Sequence, residues 1–216
     1  MRIGILGSGL MGGKLGTLFA RAGHDVTFSY SHSQAKLDRL ARDSGTTARV
    51  GTPLQAAQDA DVVVLAVHWN RLDDVLKQAG DLTGKVIISC SLPMNDDDSG
   101  LVIGHTSSGA ETIARKARGA RVVAAFGTVP SEVLFAVFEA GNGVPRPSLV
   151  YCGDDADAKE IARRLIRDLG FDPVDAGPLE VARYTEPFTL LIAKLAYETS
   201  DNPALAYRFE RFAELD

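Results

Sequence analysis

Gly7-Ser8-Gly9-Leu10-Met11-Gly12 forms a Gly-x-Gly-x-x-Gly turn, a spacing suited to holding a pyrophosphate. Backbone N–H groups at a helix N-terminus point toward an anion, and the helix dipole favours negative charge there. Gly7 permits a tight turn, Gly9 allows close approach of backbone to ligand, and Gly12 allows close contact of helix and strand. The flanking residues fit this reading. The apolar strand Ile3-Gly4-Ile5-Leu6 enters the turn, an amphipathic run through Ala22 leaves it, and a second strand follows at Val26-Thr27-Phe28. A ligand-free structural turn is the alternative.

The end of the second strand bears on which dinucleotide is bound. A site selecting NAD usually places Asp or Glu about 20 residues past the glycines, where it accepts from the ribose 2′-OH. The segment Ser29-Tyr30-Ser31-His32-Ser33-Gln34-Ala35-Lys36 has no carboxylate. A 2′-phosphate would be repelled by Asp or Glu and received by hydroxyl donors with a cation nearby. Ser31, Ser33, His32 and Lys36 offer such groups, so NADP is the expected cofactor. In the other reading the serines cap a helix starting near Gln34 and Lys36 is solvated.

Ligands of open parallel sheets lie across the carboxyl ends of the strands. The candidate rim is therefore Ser8 to Met11, Tyr30 to His32, Ala66-Val67-His68-Trp69, Ser91-Leu92-Pro93 and Gly127-Thr128. Val67 and His68 fall beside the ribose and nicotinamide, with Trp69, Pro93 and Gly127 in the substrate pocket. Trp69 could equally be a packing residue that starts the next helix. No catalytic residue is assigned. The Asp96-Asp97-Asp98 run points in several directions and lacks a His or Cys to complete a metal set, and His24, His32, His68 and His105 lack zinc spacing. No metal site is expected. His24 reads as structural and His105 as a loop residue that could also approach the nicotinamide. A Tyr-x-x-x-Lys proton-donating pair is absent. Carbonyl or imine reduction needs a proton as well as a hydride. Hydride exchange with a flavin-like ring asks mainly for stacking and exclusion of water.

Strands alternating with helical periodicity must position this rim. The pattern is that of a Rossmann-type, doubly wound, mostly parallel α/β sheet with a small C-terminal α/β extension. Strands are expected at Ala48 to Gly51, Asp61 to Val67, Lys85 to Cys90, Arg121 to Phe126, Ser148 to Cys152 and a short one through Val174. Between them fall helices from Gln34 to Asp43, Pro53 to Asp59, Leu72 to Ala79 and Ser108 to Arg118, one capped by Asp154 or Asp155, and a last long one from Glu180, kinked at Pro187. The Gly141 to Pro147 stretch reads as a connector, dividing a nucleotide-binding domain, 1–140, from a small segment packed on it, 141–216. The chain has 216 residues, a formal net charge of −5 and two cysteines, Cys90 and Cys152, expected as buried thiols. That charge argues against nucleic acid or an anionic membrane as partner. No apolar run approaches the roughly 18 residues of a membrane span. A cytoplasmic location is expected.

The glycine turn together with Ala22-Gly23-His24-Asp25-Val26 resembles the hydroxyisobutyrate-type dehydrogenases, the pyrroline-carboxylate reductases and the coenzyme F420-dependent NADP oxidoreductases. Gly104-His105-Thr106-Ser107-Ser108-Gly109-Ala110-Glu111, Gly119-Ala120-Arg121-Val122-Val123, Cys152-Gly153-Asp154-Asp155 and Asp175-Ala176-Gly177-Pro178-Leu179 look like the last of these. The resemblance implies hydride transfer between NADPH and a deazaflavin (coenzyme F420) or flavin-like small-molecule acceptor, by a homodimer. It implies pyrophosphate at Ser8 to Met11, the 2′-phosphate at Ser31 and His32, and the nicotinamide beside Val67 and His68. His32 stands where that family commonly has Arg, His68 where it has Pro, and Gly127 where it has Asn. The alternatives are an imine or hydroxyacid reductase related to pyrroline-5-carboxylate reductase, and a non-catalytic NADP-binding regulatory protein.

Overall fold

The computed structural model of the protein describes residues 1–141, 145–199 and 202–212. In chain order the elements are β1 (Arg2–Leu6), α1 (Leu10–Arg21), β2 (Asp25–Ser29), α2 (Gln34–Ser44), β3 (Ala48–Val50), α3 (Pro53–Gln58), β4 (Val62–Leu65) and α4 (Leu72–Ala79). Then come β5 (Val86–Ser89), α5 (Gly109–Lys116), β6 (Arg121–Ala124), α6 (Val133–Glu139), β7 (Ser148–Gly153), α7 (Ala156–Asp168), β8 (Asp172–Asp175) and α8 (Ala182–Tyr197). The strands form one eight-stranded sheet in the order β3-β2-β1-β4-β5-β6-β7-β8. All pairings are parallel except β6 with β7.

The sheet is covered on both faces, so its central strands are apolar on both sides. Val62 and Val64 of β4 pack with α1, whereas Val63 and Leu65 pack with α3 and α4, as the period-two alternation of a strand requires. Glycines set how closely the layers approach. A Cβ on Gly16 would lie 2.3 Å from the Phe28 ring, so α1 can rest on β2 only with glycine there. The Thr52 hydroxyl accepts from the Gln55 N–H and the Gln55 side chain accepts from the Thr52 N–H, which fixes the start of α3 reciprocally.

Several boundaries differ from expectation. β4 ends at Leu65 and β6 at Ala124, two residues short of Val67 and Phe126, because the chain leaves the sheet to form the rim. Phe126 is fully buried yet has φ 64, and Tyr30, after β2, has φ 57. Such left-handed conformations are costly for non-glycine residues and gather at functional rims. The α6 helix has no counterpart in the expected pattern. Its sequence, Val-Leu-Phe-Ala-Val-Phe-Glu, is apolar nearly all round and gives no amphipathic signal. The expected connector begins beside it, and its residues 142–144 lie outside the described residues. α8 runs through Pro187 without interruption.

Candidate active site

Strand order reverses between β1 and β4, and the crevice at this switch point opens above the glycine turn. Gly7 has φ +108, and a Cβ there would lie 2.3 Å from the Ala66 carbonyl oxygen. A Cβ on Gly12 would lie 1.9 Å from the Gly7 carbonyl oxygen, whereas one on Gly9 would meet nothing within 4 Å. Gly9 therefore faces open space, the cradle a pyrophosphate would fill. The first turn of α1 has no side-chain cap and no acidic residue. Its N–H groups at Leu10 and Met11 are those an α-helix leaves without an internal acceptor. These features fit a dinucleotide.

Ser8 does not join them. It is fully buried, its hydroxyl donates to the Ser29 carbonyl (2.9 Å) and its N–H to the Tyr30 carbonyl (3.2 Å). Ser8 thus ties the turn to the end of β2, and the groups free for pyrophosphate start at Gly9.

Two cavities flank the turn. One, of about 340 Å³, is lined by Gly9, Leu10, Met11, Ala66, Val67, His68, Trp69 and Gly127, as expected from sequence. Pro93 is not in its lining. It is buried with its ring against Gly109, and its neighbours Leu92 and Met94 face the cavity instead. Sequence reasoning missed Thr189, Ile192, Ala193 and Tyr197, which α8 brings to the same wall from far along the chain. It also missed Val129, Pro130 and Ser131, which follow Gly127 and Thr128 in the loop after β6. Ser131 and Glu132 there form a polar corner: Lys14 donates to the Ser131 hydroxyl (3.1 Å) and the Tyr197 hydroxyl donates to Glu132 (2.7 Å). Burial and the Glu132 charge push the Tyr197 phenol up. The Ser91 hydroxyl accepts from the Val67 N–H (3.1 Å) and so holds the turn after β4 to the end of β5. Cys90 also lines the cavity; desolvation pushes its thiol up to about 12, so it is neutral. His68 lies 4.0 Å from Asp98, with 78% and 59% of the two side chains exposed.

The second cavity, of about 500 Å³, lies at the ends of β2 and β3 and is lined by Tyr30, Ser31, His32 and Gln34 together with Gly51, Arg71 and Asp74. Tyr30 donates to Asp74 (2.6 Å), and burial together with that carboxylate raises its phenol to about 12. Lys36 is outside this lining. It sits exposed in the first turn of α2, where its N–H donates to the hydroxyl of Ser33, the helix cap. The capping role weighed for the serines thus holds for Ser33, while Ser31 stays at the cavity. His24 is buried and structural, with Nε2 3.0 Å from Asp168, and its pKa is lowered chiefly by desolvation. His105 is not among the residues lining either cavity.

Residues 2–93 match the protein family described as NADP oxidoreductase coenzyme F420-dependent. The match covers less than half of the chain, its N-terminal segment. A proposed F420-dependent NADP-reductase from Arthrobacter sp. FB24 superposes with a TM-score of 0.85 at 23% identity, covering 98% of this chain and 100% of that one. A hypothetical protein of Sinorhizobium meliloti gives a TM-score of 0.75 at 27% identity, covering 97% of this chain and 96% of that one. An Aspergillus terreus reductive aminase in complex with NADPH shares the fold, with a TM-score of 0.65 at 19% identity, over 88% of this chain and 60% of that one. Metalloreductase STEAP3 of Rattus norvegicus is 28% identical over 88% of this chain, which spans only 36% of that relative. Among the described residues no helix is long and apolar enough to cross a membrane.

Proposed function

We propose that the protein is a cytoplasmic oxidoreductase that passes hydride between NADPH and a flat, conjugated acceptor of the deazaflavin (coenzyme F420) or flavin class. The observation that carries this reading is the chemistry of the smaller cavity. Its walls include Leu10, Met11, Trp69, Leu92 and Ile192, and its closest histidine–carboxylate approach, His68 to Asp98 at 4.0 Å, is too long for a hydrogen bond. Such a site can stack rings and exclude water, and its histidine makes no hydrogen bond to a carboxylate. Bound NADPH would supply the hydride from its nicotinamide ring. Gly9, Leu10 and Met11 receive the pyrophosphate, Ser31 and His32 the 2′-phosphate, and Ala66, Val67 and His68 the nicotinamide side. Trp69 and Gly127 shape the acceptor pocket. Residues 1–140 serve as the nucleotide-binding domain, and residues 141–216 supply its acceptor-side wall through α8. Tyr184, Leu191 and Leu195 leave an exposed apolar stripe on α8, which supports a homodimer.

The nearness of His68 to Asp98 favours a second reading, reduction of an imine or carbonyl with His68 as proton donor. Anaerobic NADPH oxidation separates the readings when F420, FMN, FAD, ferric chelates and a panel of imines and carbonyls are offered in turn. Turnover with F420 or a flavin is expected. Turnover confined to imines or carbonyls would overturn this in favour of reduction with protonation. Tight NADPH binding with no turnover would make the protein an NADP-binding regulator.

A further inference from the structure

We infer that Arg71 is the residue that recognises the 2′-phosphate of NADP, entering the cofactor crevice from the turn after β4. The inference rests on the NADP reading above and names the charge that reading lacks. At the end of β2 the cavity offers hydroxyl groups and an imidazole but no fixed cation, and Lys36 stands outside the lining. Arg71 closes a short 3₁₀ turn, Trp69–Arg71, between β4 and α4 and lines the same cavity as Ser31, His32 and Gln34. Its backbone N–H donates to the His68 carbonyl (2.9 Å), which fixes the residue in the turn. Among the described residues its guanidinium makes no hydrogen bond and no close ion pair, although its charge is felt by Asp74 and Tyr30 of the same cavity. A guanidinium left unpaired in a cavity beside two hydroxyl-bearing side chains matches a phosphate dianion, which it can grip through two parallel N–H donors.

The carboxylate sharing this cavity is the natural objection. Asp74 could accept from a ribose 2′-OH and so favour NAD. Its Oδ2 already accepts from the Tyr30 hydroxyl (2.6 Å) and the Gln78 amide (2.9 Å). Those two bonds hold Asp74 to its own helix and to the β2 end, and Arg71, whose charge Asp74 feels without a hydrogen bond between them, keeps its N–H donors open to an anion.

The test compares 2′,5′-ADP (adenosine 2′,5′-bisphosphate) with 5′-AMP, probes that differ only by the 2′-phosphate, by calorimetric titration of the full chain at low ionic strength. The wild type should prefer 2′,5′-ADP. Arg71→Ala should weaken 2′,5′-ADP at least tenfold, about 1.4 kcal/mol, and leave 5′-AMP within about twofold. Arg71→Lys should recover part of the loss, since a point charge remains without the planar fork. Lys36→Ala should change neither ligand. Equal weakening of both probes by Arg71→Ala, or no change in either, would overturn the assignment. A wild type that does not prefer 2′,5′-ADP would instead overturn the NADP reading, before any substitution is made. Thermal melts of the variants should match the wild type, because the Arg71 side chain is exposed and holds no other group.

Discussion

Gly9 and Gly12 differ in what a methyl group would meet, and that difference separates binding from folding. A Cβ on Gly12 would press on the Gly7 carbonyl at 1.9 Å, a backbone contact that only a shift of α1 can relieve. Gly12→Ala should cost about 3 kcal/mol or prevent folding. Gly9 has open space beside it, so an added methyl group meets no neighbour, and only its backbone, at φ −73 and ψ −147, lies outside the regions alanine favours. Gly9→Ala should therefore cost about 1 kcal/mol, well below Gly12→Ala, while binding NADPH at least tenfold more weakly. Chemical denaturation and titration of the same samples check both halves, and loss of NADPH binding out of proportion to lost stability is the signature of a cradle. Both roles were legible in the sequence because they depend on three glycines within one turn. Ser8, Lys36 and Pro93 were misplaced because their orientation depends on neighbours remote in sequence. The Ser29 and Tyr30 backbone claims Ser8, the cap of α2 exposes Lys36, and Gly109 receives Pro93.

At the scale of elements, the acceptor wall depends on how α8 is docked. Local patterning announced α5 and α8 but not the contact between them. Ser108 caps α5 by accepting from the Glu111 N–H, as the sequence suggests, but Glu111 does not complete the box. Its carboxylate instead bonds Arg183 of α8, with Nε at 3.0 Å. The N–H groups of Gly109 and Ala110 are taken by Glu186 of α8, at 2.8 and 2.9 Å. Burial raises the Glu186 carboxyl to about 7, the two N–H donors pull it down, and Glu111 pushes it up. A carboxyl whose folded pKa exceeds its unfolded value binds more protons in the folded state, so its contribution to stability falls as pH rises between the two values and is flat above them. Relative to Glu186→Gln, the wild type should lose about 2 kcal/mol between pH 5 and pH 8. Urea denaturation across that range measures the difference. A constant offset between the two proteins would mean that the helix N-terminus holds Glu186 ionised throughout.

Across the whole molecule, the segment 202–212 returns from the far end of the chain to the acceptor rim. The Tyr207 carbonyl accepts from the Ser148 N–H (2.8 Å), and the Phe209 N–H donates to the Ser148 hydroxyl (3.0 Å), which fastens the segment to β7. The Tyr207 ring packs edge-on against Phe188 of α8, with centroids 5.1 Å apart. Its hydroxyl donates to Thr128 (2.8 Å) and accepts from the Val150 N–H (3.3 Å). Thr128 follows Gly127 in the loop that leaves β6 through the left-handed Phe126, so one phenol joins β7, α8 and the acceptor rim. Local periodicity gave no sign of this strap, because its partners lie on three separate elements. Tyr207→Phe keeps the ring contacts and removes only the hydroxyl, leaving the Val150 N–H unsatisfied at a cost of about 1 kcal/mol. If the strap holds the rim, the same variant should raise KM for the proposed acceptor severalfold and leave KM for NADPH unchanged, since the glycine turn and the second cavity do not touch it. A rise in both constants would place the effect in the fold as a whole. Lost stability with both constants unchanged would reduce the Tyr207 hydroxyl to a packing role in the sheet.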